Sequence, residues 1–295
     1  MDIKHILVPS DFSDNARHAL SNALGLASAH GAKITLLHIV TVYEDDPYNP
    51  DQSFPDLKEY YKQLEERAGA HFEEAVSSTA LKYIPIEYVI RRGFSPYEEI
   101  LSFAAEKDID LIALGRHSRK PLVRFFLGSV AEKIVHHAEC PVLTVRIRDD
   151  QVQVPTFNTI LVPVDFSDQS ERALSFAASV LQPKTLHVLH VVEDTVHPAF
   201  SSESNSILEI MPQIMEKSQV LTEKMIKKNV QDTMETYAVV KQGRIATTID
   251  KYAEEKKCDL VVMGTHGMNA IGQIMIGSQA NRVIRKSTCP VITIK

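Results

Sequence analysis

Gly264-Thr265-His266-Gly267, nine residues, then Gly277-Ser278 sets three glycines and a serine between a buried apolar run and an amphipathic stretch. Closely spaced glycines let a chain turn tightly and bring its amides up to a ligand with no Cβ in the way. The stretch after Gly277 reads as a helix, and free N–H groups at a helix start attract anions, phosphate above all. Ser278 is placed to cap that helix. Asp165 closes an earlier apolar run and offers a carboxylate that can accept from ribose hydroxyls or an adenine amine. A plainer reading makes the glycines a tight strand–helix connection that holds nothing. The chemistry on offer is binding rather than turnover. No Gly-x4-Gly-Lys-Ser/Thr loop is present, so the lysine and metal-holding hydroxyl of phosphoryl-transfer machinery are missing. Gly-x-Ser-x-Gly, Ser-Gly-Gly-x-Asp-Ser and His-Ile-Gly-His signatures are missing too. Asp165 has no evident partner to tune it as a general base.

These residues sit in the second copy of a repeat. Ile6-Leu7-Val8-Pro9-Ser10-Asp11-Phe12-Ser13 returns as Ile160-Leu161-Val162-Pro163-Val164-Asp165-Phe166-Ser167, and Cys140-Pro141-Val142-Leu143 returns as Cys289-Pro290-Val291-Ile292. The offset drifts only from 154 to 149 residues, so the repeated unit is a whole domain. In the second copy, 159–164, 185–192, 237–241, 259–264 and 290–294 read as strands. Stretches 172–181, 207–230, 245–256 and 278–286 carry helical spacing. Apolar, β-branched runs separated by helices predict a parallel sheet covered on both faces. Five strands per unit predict a doubly wound α/β domain whose ligand crevice lies at the carboxyl ends of strands where the winding reverses. A polar linker, 149–157, divides domain 1 (1–148) from domain 2 (157–295).

On these residues the chain resembles the universal stress proteins, over nearly all of both halves. The family's nucleotide motif, Gly-x2-Gly-x9-Gly-Ser/Thr, is matched by Gly264, Gly267, Gly277 and Ser278. Beside it stand Val-Pro-Val-Asp on the first strand, Leu-His-Val-Val on the second and the Cys-Pro-Val ending. The resemblance implies an adenine-nucleotide alpha-hydrolase-like sheet of order 3-2-1-4-5 in each domain. It also implies pairing of the two domains as a pseudo-two-fold pair through their final strands, 142–147 against 291–295, with a homodimer as a further assembly. It implies ATP, with or without Mg, as the ligand. Adenine and ribose would lie near Pro163, Val164, Asp165 and Val191, and the phosphates on Met263, Gly264, His266, Gly267, Gly277, Ser278, Gln279 and Ala280.

The first half departs from the pattern. Its loop runs Gly115-Arg116-His117-Ser118, nine residues, Gly128-Ser129, with Ser118 where Gly267 stands. A serine where φ is positive costs about 1–3 kcal/mol and turns a Cβ toward the ligand. We expect a weaker site there, built from Pro9, Asp11, Ile39, Gly115, His117, Ser118, Gly128 and Ser129. The expectation is a non-catalytic ATP-binding module with its main site in domain 2. The alternatives are a slow ATPase or autokinase, or a scaffold holding another small anion. Arg116, Arg119, Lys120 and Arg124 read as solvated or salt-bridged across the halves rather than as an anion site.

Composition narrows the classes. Residues 1–150 carry 17 Lys+Arg against 23 Asp+Glu, and residues 151–295 carry 15 of each. Neither half has the basic field of a nucleic-acid binder. No apolar run approaches the ~20 residues of a membrane span, no signal peptide is evident at the start, and three cysteines suit a reducing cytoplasm. His38 and His190 read as hydrogen-bonded core histidines, and Cys140 and Cys289 as small buried hydrophobes. His136, His137 and His197 lack zinc-finger spacing, so no metal is assigned.

Overall fold

The computed structural model describes residues 2–41, 57–77, 83–116, 127–147, 153–193, 204–265 and 276–295. The first half runs β1 (His5–Pro9), α1 (Asp14–His30), β2 (Lys33–Thr41), α2 (Leu57–Ser77), β3 (Ile86–Gly93), α3 (Pro96–Glu106), β4 (Leu111–Gly115), α4 (Ser129–His137) and β5 (Val142–Val145). The second repeats it as β6 (Thr159–Val164), α5 (Asp168–Phe176), β7 (Thr185–Val192), α6 (Ser204–Asn229), β8 (Glu235–Gln242), α7 (Ile245–Glu255), β9 (Leu260–Gly264), α8 (Ser278–Lys286) and β10 (Val291–Ile294). A π-helical turn, Ala177–Leu181, ends α5.

The strands form one ten-stranded sheet in the order β3-β2-β1-β4-β5-β10-β9-β6-β7-β8. The order 3-2-1-4-5 thus appears in the first half, and its counterpart β8-β7-β6-β9-β10 in the second. Every pairing is parallel except the seam, where β10 runs antiparallel to β5 with Ile292 opposite Leu143. Thr144 Oγ1 donates to the Val291 carbonyl and Thr293 Oγ1 to the Val142 carbonyl, each at 3.3 Å, so the two buried hydroxyls are satisfied across the seam.

Alternation along the strands sends side chains to both faces, and both are apolar. Ile6 and Val8 join α1, α2, α5 and α6 in one core; Leu7 joins α3, α4, α7 and α8 in the other. Each core continues through both halves, which is why the strands read as unbroken hydrophobic runs. Among the described residues no helix is long and apolar enough to cross a membrane.

At the strand starts, away from the crevices, His187 is buried, stacked on Tyr237 with centroids 5.0 Å apart and bonded through Nδ1 to the Tyr252 hydroxyl at 3.0 Å. Burial, then the Lys256 charge, hold its pKa below the usual 6.5. Burial acts the same way on His5 and His30. The unfolded chain therefore takes up these protons more readily than the folded one. Stability is intact above the unfolded pKa and drains away as the pH falls through the lowered folded values. We expect the melting temperature to drop between about pH 7.5 and pH 5, and His187→Gln to shrink that drop. Scanning calorimetry at both pH values checks this.

Candidate functional site

In each half the winding reverses between the central strand and its fourth-in-order neighbour, β1 against β4 and β6 against β9. Just past the carboxyl ends of β1 and β6 stand Asp11 and Asp165. The Asp11 Oδ1 accepts from Ser13 N–H at 3.1 Å and Oγ–H at 2.5 Å. The Asp165 Oδ1 accepts from Ser167 in the same way, at 3.1 and 2.6 Å. Those serines in turn N-cap the next helices, with Ser13 Oγ accepting from Ala16 N–H and Ser167 Oγ from Ser170 N–H. One carboxylate oxygen is thus committed to the turn. Oδ2 of each aspartate has no donor among the described residues.

The residue between has a left-handed backbone, φ 60° at Phe12 and 65° at Phe166. That costs about 1–2 kcal/mol for a residue with a Cβ, and it is held from below. The Phe12 ring lies 4.6 Å from His38 and the Phe166 ring 4.4 Å from His190, centroid to centroid. Both histidines donate from Nδ1 at 2.8 Å, to the Ser10 and Val164 carbonyls. The strand histidines read from sequence as structural are structural, and their task is to fix the Asp-Phe-Ser turn. The repetition of Asp-Phe-Ser beside Leu-His in both copies was the signal for it.

The first motif glycine answers to packing. A Cβ on Gly115 would stand 2.3 Å from the Asn15 carbonyl oxygen, and one on Gly264 would stand 3.0 Å from Gln169 Cβ. Helix α1 or α5 crosses directly over the strand end, so part of the glycine pattern is the tight strand–helix connection. The later glycines N-cap α4 and α8. Gly128 has φ 90°, a region for glycine, whereas Gly277 has φ −57°, which any residue adopts. Neither helix start carries a side-chain cap. This corrects the expectation for Ser278: it is the first helical residue, not the cap. Among the described residues the first-turn amides of α4 and α8 therefore have no side-chain partner, which suits an anion site.

In the first half, Pro9, Asp11, Ile39, Gly115, Gly128 and Ser129 line one crevice of about 400 Å³. In the second, Pro163 and Val164 end β6, Val191 lies near the end of β7, Gly264 ends β9, and Gly277, Ser278 and Gln279 begin α8. Met263 and Ala280 are buried in the core, so only their backbone can face a ligand. His117, Ser118, His266 and Gly267, with Arg119, Lys120 and Arg124, lie outside the described residues. Cys140 and Cys258 thiols are pushed up by burial to about 11 and about 12, inert packing groups. Among the described residues no three His, Cys, Asp or Glu side chains gather as a metal site would need.

Two residues depart from their reading or were missed. Arg116 reaches across the halves but is not solvated, and among the described residues it forms no salt bridge: it is 4% exposed, and its Nη2 donates at 2.7 Å to the Ser287 carbonyl in the other half. Burial lowers its pKa to about 10. Asn15, missed in the sequence, lines the first crevice with a buried Oδ1 that finds no donor among the described residues. Its counterpart Gln169 accepts from Thr265 Oγ1 at 3.3 Å. Arg116 occupies the Thr265 position and donates to Ser287 instead, so the Asn15 Oδ1 has no counterpart of the Thr265 hydroxyl.

Known proteins share this architecture. The model of the universal stress protein family matches residues 2–146 and again 156–295. A universal stress protein of Mycolicibacterium smegmatis is 27% identical over 302 aligned positions, covering 98% of this chain and 96% of that one. One from Thermus aquaticus is 36% identical over 143 positions, 48% of this chain and 98% of its own length. The crystal structure of a universal stress protein from Archaeoglobus fulgidus superposes with a TM-score of 0.72 over 100% of this chain and 99% of that one, a likeness of fold at 23% identity. Two matched segments, one repeated topology and one repeated turn lead to the same place: the chain belongs to the universal stress protein family, as a tandem of two family units.

Proposed function

We propose that this protein is an ATP-binding module with its main site in the second half, and that it holds the nucleotide without turning it over at speed. The observation that carries the reading is the start of α8. Its uncapped amides follow Gly277 at the carboxyl end of the sheet, beside the strand pair that presents Asp165. Amides and dipole there suit phosphates, and the free Asp165 Oδ2 suits a ribose hydroxyl or an adenine amine. Pro163, Val164 and Val191 supply apolar walls for the base, and the backbone of 263–267 and 277–280 cradles the phosphates. The first-half crevice, with Ser118 in its loop, takes nucleotide more weakly or takes another anion. Residues 1–148 and 157–295 are the two working units.

Among the described residues nothing in this arrangement activates a phosphate for transfer. Asp165 is tied into its helix cap through Oδ1, and it forms no ion pair with a lysine among the described residues. The test is mass spectrometry of whatever nucleotide copurifies, followed by incubation with ATP and Mg²⁺. Intact bound ATP with negligible ADP release is the expected result. Repeated turnover abolished by Asp165→Ala would replace this reading with an ATPase.

A further inference from the structure

Helices α4 and α8 lie antiparallel across the seam, α4 beginning at the first-half crevice and α8 beside the carboxyl end of β9, where Gly277 N–H donates to the Thr265 carbonyl. Arg285, in the last turn of α8, pairs with Glu132, in the first turn of α4, at 2.9 Å. At the other end the N–H of Ile276, just before Gly277, donates to His136 Nδ1, in the last turn of α4, at 3.4 Å. A helix ends with carbonyls that have no intrahelical donor and with the negative pole of its dipole. Here each of those ends is met by a cation from the opposite half. Arg116, the residue after Gly115, donates to the Ser287 carbonyl at the end of α8 at 2.7 Å. Lys295, the residue after β10, donates from Nζ to the His136 carbonyl at the end of α4 at 2.8 Å.

The residues at these contacts are separated by 171 and 159 positions, so neither half makes them alone. The two contacts are not symmetry copies, since Arg116 follows β4, one strand in from the seam, and Lys295 follows the seam strand β10, but each reaches across to the helix end of the opposite half. We infer that the two halves position each other's anion-facing helices: Arg116 is a positioning residue for α8 and Lys295 for α4. Each helix is anchored at its far end by the neighbouring half, which holds its near end, with the open amides, against the crevice. Loss of either cation frays the helix of the opposite half and loosens ligand binding there. The binding part of this inference rests on the nucleotide reading above; the helix part does not.

Hydrogen exchange on the full chain, without and with ATP, separates the two. In Arg116→Met we expect amide exchange in α8 to rise about fivefold with α4 unchanged, and in Lys295→Met the reverse. Arg116→Lys, which keeps one donor, restores part of the protection in α8. With ATP present, Arg116→Met loses the protection of the α8 amides at lower dilution than the wild type, whereas Lys295→Met does not. A general loss of stability would speed exchange in both helices alike, and that outcome, or faster exchange in the variant's own half, overturns the inference. Should Arg116→Met prove unable to fold, the half-buried Lys295 carries the same test through α4. If the crossed pattern appears but ATP protects nothing in the wild type, the positioning stands and the nucleotide reading falls. If ATP protects and the crossed pattern is missing, the inference falls alone.

Discussion

Gly115→Ala is expected to destabilise the protein by about 3 kcal/mol, while Gly264→Ala at the matching position costs only about 1 kcal/mol. The two glycines end equivalent strands, and neither has a left-handed φ, so backbone freedom does not separate them. What separates them is the helix above. The added carbon on Gly115 would meet Asn15 main chain at 2.3 and 2.4 Å and its Cβ at 2.7 Å. Main chain in the first turn of α1 cannot give way without moving the helix, and Ser13 and Asp11 pin that turn from below. On Gly264 the contacts begin at 3.0 Å, with the Gln169 Cβ, and a few tenths of an ångström of relaxation relieves them. Urea unfolding of the two variants checks the difference. Equal costs would mean that α1 rides as loosely over β4 as α5 does over β9, and the packing account of Gly115 would be wrong.

The strands were easy to read because both faces of the sheet are buried. Thr159–Val164 and Thr185–Val192 coincide with their apolar runs, and Ser278–Lys286 with its amphipathic stretch, since continuous burial leaves no polar residue to blur a boundary. The repeat showed that Asp11 and Asp165 hold equivalent places. Spacing could not show what Arg116 does. Its partner is the Ser287 carbonyl, and a main-chain acceptor leaves no mark on sequence. The unmet Asn15 Oδ1 follows from the same event and was equally hidden. Helical spacing through Leu181 missed the widening of the last turn of α5, which ends at Gln182 with φ 47°. The serine at the start of α8 looked like a cap because Gly-Ser before an amphipathic run is ambiguous by one residue. The structure puts the cap at Gly277, and the amides gain their freedom from that shift.

That shift decides what a carboxylate at the start of α8 should do. Gly277→Asp is expected to lower ATP affinity of the second half about a hundredfold, or roughly 2.7 kcal/mol, and to leave the folded state as stable as before. With φ −57° and ψ 145°, Gly277 stands in backbone that aspartate adopts freely, at a position where aspartate is among the best caps. Its carboxylate would accept from the first-turn amides and complete the helix dipole, taking the place we assign to phosphate and repelling the phosphate itself. Gly128→Asp differs in kind. Gly128 has φ 90°, so the substitution strains the backbone by about 1–3 kcal/mol before any ligand is considered. Calorimetric titration with ATP beside thermal melting distinguishes the two. We expect Gly277→Asp to melt like the wild type and to bind little, and Gly128→Asp to melt early while keeping most of the ATP. Equal loss of binding from both would remove the preference for the second half. Full binding by Gly277→Asp would show that the amides of α8 do not hold the phosphates, because no anion could share them with that carboxylate.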